Sequence, residues 1–440
     1  MEDRKVYSLI GIGIGPFNLG LAALLEPVDD VSSLFFDQKE QFNWHPGLLF
    51  DHVTLQTPFL CDCVSMADPT SPFSFLNFLK KTDRLYKFFI RENFFVLRKE
   101  YNLYCQWVIK QLKNCRFSSS VKEIYYKDGL YELHVFHKEE NQTKIYYCEK
   151  LVLGTGTVPV LPEFVDLQEM KKVCHTSNYL FRKEEILKQD TVTIIGSGQS
   201  AAEVFYDLLQ NRPKNLRLNW YSRPDRFFAM EYSKLILEHT SPDYIDYFHQ
   251  MPSSTRKVML DRQKSQFKGV NFDLLNEIYD HLYALSVDND DIGVKIRPNI
   301  QLDAITTGIH NNYELHLEQT EQHKKFTDHA DYVILGTGYH YQEPQFLKEI
   351  QHRISRTSTG SYDVKRNYSI DHNGSEIFVQ NAEIHTHSYI SSDLGMGAYR
   401  NSYIINEVAK REVYKLEKRI AFQDFDLSHI AAEKAEEISL

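Results

Sequence analysis

Two kinds of apolar pattern alternate along this chain. Short unbroken apolar runs, the mark of strands buried on both faces, are followed by glycine-dense turns and then by apolar residues at helical spacing. Val6-Tyr7-Ser8-Leu9-Ile10 reads as a strand, Gly11-Ile12-Gly13-Ile14-Gly15-Pro16 as a turn, and residues 18–25 as a short helix. The same unit recurs as the strand Thr191-Val192-Thr193-Ile194-Ile195, the turn Gly196-Ser197-Gly198-Gln199-Ser200-Ala201-Ala202 and a helix over 203–209. Two further strands end in glycine turns, Leu151-Val152-Leu153-Gly154-Thr155-Gly156 and Tyr332-Val333-Ile334-Leu335-Gly336-Thr337-Gly338-Tyr339. They bracket the second unit and read as the points where the chain leaves and re-enters its first domain. The pattern predicts an α/β protein with two Rossmann-like dinucleotide-binding domains. One is discontinuous, 1–165 plus 336–440, and the other, 166–335, is inserted in it. Residues 231–283 turn helical and charged and are expected to cap the cleft, whereas 431–440 read as a frayed tail.

Residues 6–25 carry no charge and follow Arg4 and Lys5, so a length rule alone would make them a membrane span. The strand, turn and helix inside them argue for a buried unit instead, with no membrane and a cytoplasmic chain. Composition agrees: 440 residues, 42% hydrophobic and 25% charged, suffice for two or three domains with cores of their own. A formal net charge of −10 without a basic block argues against nucleic acid as a partner. The six cysteines form no CxxC pair and no zinc pattern, so no metal site is expected and the thiols read as reduced.

Each glycine turn has a chemical use. It lets the backbone approach a pyrophosphate while the next helix offers free N–H groups and its positive end. A single such turn is weak evidence; two in strand–turn–helix context are stronger. Gly11, Gly13, Gly15 and Pro16 are the first candidate cradle, and Gly196, Gly198, Gln199 and Ser200 the second. After the first, Leu34-Phe35-Phe36 ends in Asp37, where a carboxylate takes ribose hydroxyls, favouring FAD. After the second, the strand over 216–221 ends in Ser222-Arg223, and an arginine there suits the 2′-phosphate of NADPH.

Further residues bring a family into view. Gly11-Ile-Gly-Ile-Gly-Pro-Phe-Asn-Leu19, Phe42-Asn-Trp-His-Pro-Gly47, Leu55-Gln-Thr-Pro-Phe-Leu60, Gly196-Ser-Gly-Gln-Ser-Ala201, Gly336-Thr-Gly-Tyr339 and Asn381-Ala-Glu-Ile-His-Thr-His387 together resemble the bacterial siderophore N-hydroxylases of lysine, ornithine or diamines. The resemblance runs in order through nearly the whole chain. It implies a flavin monooxygenase in which NADPH reduces FAD, the reduced flavin activates dioxygen, and a neutral amine takes up one oxygen atom. It also implies a homo-oligomer, a tetramer in this family. Gln56 would aim its amide at the flavin, Trp44, His45 and Pro46 would wall its ring, and Thr337, Gly338 and His387 would line the cofactor. His385 and His387 sit at a strand end in this reading; with no third ligand they are no metal pair.

One departure bears on substrate. Where the amino-acid enzymes have Phe-Leu-Lys-Asp, with a lysine for the substrate carboxylate, this chain has Phe59-Leu60-Cys61-Asp62, and Gly395 stands where they usually have serine. A buried carboxylate without partners is costly, so the substrate is expected to be a decarboxylated amine: putrescine, cadaverine or histamine. Cys61 and Gly395 line that pocket, Glu383 and Asp393 are candidates for a far ammonium, and Gln266 for contact with nicotinamide and substrate. The aromatic clusters at Tyr86, Phe88, Phe89 and at Phe94, Phe95 read as core or subunit interface. The alternatives are a lysine or ornithine hydroxylase and, in another class, an NADPH-dependent flavoprotein reductase, which the missing CxxC dithiol disfavours.

Overall fold

The computed structural model describes residues 4–308 and 312–427; the proposed tail over 431–440 lies outside them. The first sheet has seven strands. Val6–Ile12 lies at its centre, parallel to Ser33–Phe36 on one side and Gln142–Leu153 on the other, with Ile12 opposite Phe36 and Leu153. Leu130–His137 and Ser119–Lys127 continue it as antiparallel hairpins, and the late strand Ile377–Val379 returns parallel to Gln142–Leu153. A second sheet of five parallel strands, in the order Val173–His175, Tyr332–Leu335, Thr191–Ile195, Arg217–Tyr221 and Val294–Arg297, holds the second glycine turn. Three antiparallel strands, Ile300–Thr307, Tyr313–Gln319 and Lys324–Ala330, flank it.

The repeat seen in the sequence extends to atomic contacts. Gly13 has φ +87°, and a Cβ on it would stand 2.3 Å from Gly154 O; Gly196 has φ +142°, and its Cβ would stand 2.2 Å from Gly336 O. In each unit the first glycine turn thus leans on the glycine of the next crossing turn, with room for hydrogen only. Both helices begin earlier than the pattern predicts, at Pro16 and Gln199. The turn's last glycine is the N-cap, and proline at the first helical position loses no hydrogen bond.

The chain passes between sheets through two strands lying side by side, Thr157–Pro159 antiparallel to Tyr339–Tyr341, and the Thr337 hydroxyl donates to Val160 O. Leu161, Phe164 and Val165 already pack on the core of the second unit, so the crossing comes several residues before 165. Residues 231–283 are helical, as Lys234–Leu237, Pro242–Gln250, Ser253–Arg262, the 3-10 turn Lys264–Gln266 and Phe272–Ser286. Ile245, Leu260 and Phe267 from this cap pack against Tyr389, Ile390 and Met396 of the first unit. Among the described residues no helix is long and apolar enough to cross a membrane; the uncharged run over 6–25 divides into a strand and a helix.

Candidate functional site

The two glycine cradles are built alike and face space. A Cβ on Gly15 would meet nothing within 4 Å, nor would one on Gly156 or Gly338, and on Gly198 only Lys268 O at 3.9 Å. Such open surface before a helix N-terminus fits a dinucleotide pyrophosphate. Asn18 stitches the first turn together: its Nδ2 donates to Gly13 O at 2.7 Å, and its Oδ1 accepts from Gln380 Nε2. Asp37 is buried at the end of Ser33–Phe36. Its oxygens accept from Ile14 N and Lys39 N, both at 2.8 Å, leaving lone pairs for a ribose. Arg223 is exposed after Arg217–Tyr221, and no carboxylate pairs with it among the described residues.

Trp44 and His45 lie where the two units meet. Trp44 N donates to Asn102 Oδ1 and its ring tilts on Tyr101. His45 adopts a left-handed conformation, φ 50°. Burial, and after it the Arg98 and Lys39 charges, lowers its pKa to about 4, so the ring is neutral. Tyr339 stands edge-on to both His45 and His175. Arg98 joins the units through a two-pronged pair with the buried Glu203, at 2.8 and 2.9 Å, and donates to Leu48 O. Gln199, the first residue after the second glycine turn, donates to the same Glu203.

Three of the residues expected at the substrate come together. A Cβ on Gly395 would stand 3.2 Å from Cys61 Sγ and 3.1 Å from Asp393 Oδ1. A side chain here would therefore press on Cys61 and Asp393. Burial, and then the Asp393 charge, pushes the Cys61 thiol up to about 12, so it stays protonated. Asp393 accepts from Gly395 N at 2.7 Å and has no ion pair among the described residues. Burial raises its pKa above the ordinary carboxylate value. Gln56, on the strand Thr54–Pro58, accepts from Tyr232 Oη of the cap at 2.7 Å. Gln266 lies in the cap with Oε1 3.1 Å from His239 Nδ1.

Two expectations are corrected. Glu383 is fully buried and ion-paired with Arg400, itself 1% exposed, and accepts from Ala382 N at 2.7 Å. A carboxylate already neutralised inside the core is no receptor for a substrate ammonium. His387 is not at a strand end but in a helical turn, Ile384–His387, 1% exposed. Its Nδ1 meets Thr386 Oγ1 and its Nε2 the Arg366 carbonyl, and its ring stacks on Tyr368, so neither nitrogen is left for a cofactor. Sequence reasoning missed Tyr232, Asn271 and Thr240, whose methyl stands 4.0 Å from the Gly395 Cβ position. The only signal was an aromatic residue at the mouth of a charged segment. Among the described residues no cluster of His, Cys, Asp and Glu could hold a metal.

The family model for L-lysine 6-monooxygenase/L-ornithine 5-monooxygenase matches residues 5–341. The chain belongs to this family. It is 48% identical to a putrescine N-hydroxylase of Shewanella oneidensis, over 98% of this chain and 86% of that protein. It is 42% identical to a putrescine N-hydroxylase of Acinetobacter baumannii, over 97% and 95%. Among solved structures, the desferrioxamine-pathway cadaverine monooxygenase of Erwinia amylovora, bound to FAD, superposes with a TM-score of 0.93. It is 44% identical, with 96% of this chain and 99% of that one covered. Both crossing turns and both glycine cradles fall within the stretch matched by the family model.

Proposed function

We propose that this protein is an FAD- and NADPH-dependent monooxygenase that hydroxylates one primary amino group of a small diamine of the putrescine or cadaverine kind, for siderophore biosynthesis. The observation that carries the substrate class is Asp393: a half-buried carboxylate next to Cys61, the position where the amino-acid enzymes carry a lysine, and without a cationic partner among the described residues. A second ammonium would supply the missing charge, and a substrate carboxylate would meet only repulsion. The relatives named for putrescine and cadaverine agree with this, and it is favoured over histamine for the same reason. FAD held at Gly15 and Asp37 would supply the activation of dioxygen, and NADPH at Gly198 and Arg223 the electrons.

This chain's own residues bind and orient. Asp393 takes the far ammonium, Cys61 and Gly395 shape the space beside it, Gln56 offers an amide to the flavin side, and the cap excludes water. Neutral His45 walls the cofactor without adding charge.

The same reading makes the protein a cytoplasmic homo-oligomer. Tyr86, Phe89, Ile90 and Phe94 are each two-thirds or more exposed, and a second subunit would take this apolar surface out of water. Light scattering of the purified protein should return a multiple of the chain mass. The decisive assay is a panel of putrescine, cadaverine, histamine, lysine and ornithine with NADPH, read as hydroxylamine product. Diamines should be converted and amino acids left; conversion of lysine or ornithine at comparable kcat/KM would overturn the reading. NADPH oxidation without hydroxylated amine would favour the reductase alternative.

A further inference from the structure

Gln56 can serve the flavin side only if its amide faces the right way round, and two residues of the cap decide which way that is. Asn271 is the N-cap of Phe272–Ser286, and its Oδ1 accepts from Leu274 N at 3.0 Å. That bond fixes the Asn271 amide, so its Nδ2 is the group turned toward Gln56, 3.4 Å from Oε1. A donor facing Gln56 requires that Gln56 answer with its oxygen. Tyr232 Oη meets the same oxygen at 2.7 Å. With Oε1 held from two sides, Nε2 is left as the free, donating end. Asn271 N also donates to Gln199 Oε1 at 2.7 Å, so the clamp is tied to the second glycine turn and, through Glu203 and Arg98, to the first unit.

We infer that Tyr232 and Asn271 are positioning residues that lock the Gln56 side chain as a hydrogen-bond donor, so that closure of the cap sets the polarity of the flavin-side amide. The inference rests on the proposed flavin reading for its consequence. Its geometry, two cap residues on one oxygen, stands without it. Each acts through its contact with Gln56.

The test pairs two substitutions at one position. Asn271→Asp keeps a good N-cap but replaces the donor by a carboxylate, which would draw Gln56 Nε2 to itself and reverse the amide. Asn271→Ser keeps a cap and removes the second contact without reversing it. Tyr232→Phe removes only the hydroxyl. The FAD-bound proteins are compared first without amine, by the flavin visible absorption spectrum. Asn271→Asp should displace the band, and Asn271→Ser and Tyr232→Phe should displace it less. With diamine and NADPH, Asn271→Asp should lower hydroxylated product per NADPH by about tenfold, what one hydrogen bond is worth, while flavin affinity, melting temperature and the rate of flavin reduction stay at wild-type values. A spectrum and coupling ratio for Asn271→Asp equal to those of Asn271→Ser would overturn the inference, as would a parallel fall in all parameters. If wild-type protein makes no hydroxylated diamine, the functional reading fails, and the spectral comparison still decides the orientation of Gln56.

Discussion

In the proposed reading, Asp393 is the residue on which substrate choice turns. A half-buried carboxylate that accepts from Gly395 N and has no ion pair among the described residues gains from a cation, so Asp393→Asn should raise KM for putrescine or cadaverine by roughly 10- to 100-fold, the range for a hydrogen bond to a charged group. A simple alkyl monoamine should be affected far less, and equal losses on both would remove Asp393 from the pocket. Cys61, legible as a missing lysine, acquires its meaning only from its neighbours: its sulfur and the Asp393 carboxylate crowd the place of a side chain at position 395. Arg223 makes a separate claim. Exposed and unpaired with any acid among the described residues, it should discriminate cofactors, and Arg223→Ala should raise KM for NADPH by roughly tenfold, one charge-assisted contact. A KM for NADH that rises as much would show that no 2′-phosphate is involved.

Secondary-structure elements decide where those residues can act. Gly15 and Gly198 have ordinary φ values, −85° and −86°, and open space beyond their Cβ positions, unlike Gly13 and Gly196, which back onto backbone. Gly15→Val and Gly198→Val should therefore leave the fold alone and fill the cradles. The first should yield protein without flavin, and the second a yellow protein that NADPH no longer reduces. Flavin retained by the first variant and lost by the second would mean the two cradles are reversed. The helix Gly397–Ala409 carries Arg400 into the core to meet Glu383. Breaking a buried pair leaves an uncompensated charge, so Glu383→Gln should cost about 3–5 kcal/mol, seen as a lowered melting temperature. The KM for diamine in the surviving protein should not change; a large rise would return Glu383 to the substrate site.

For the whole molecule, the junction between the two units is where pH should act. Burial lowers the pKa of His175 to about 4 from an ordinary 6.5, as it does for His45 across the Tyr339 ring. Such a histidine is neutral in the folded state, while the unfolded chain takes up a proton below 6.5. Stability is thus complete above that pH and lost as pH falls toward about 4. His175→Asn can keep the bond that His175 Nδ1 accepts from Ser177 N and does not titrate, so its stability should fall less than wild type's between pH 6.5 and 4. Parallel curves in chemical denaturation would exclude the histidine. The family, the two glycine units and their order were legible in the chain, because a buried strand followed by a glycine turn leaves a local pattern. The proposed substrate class also starts from the sequence, as a lysine absent at Cys61. Tertiary structure alone decided which acid is free. Glu383 and Asp393 are both acids near the same motifs, and only the packing of Gly397–Ala409 brings Arg400 to one of them. It alone also placed Tyr232 and Asn271 on Gln56, since contacts between residues some two hundred positions apart depend on how the cap closes over the cleft and leave no periodic trace in sequence.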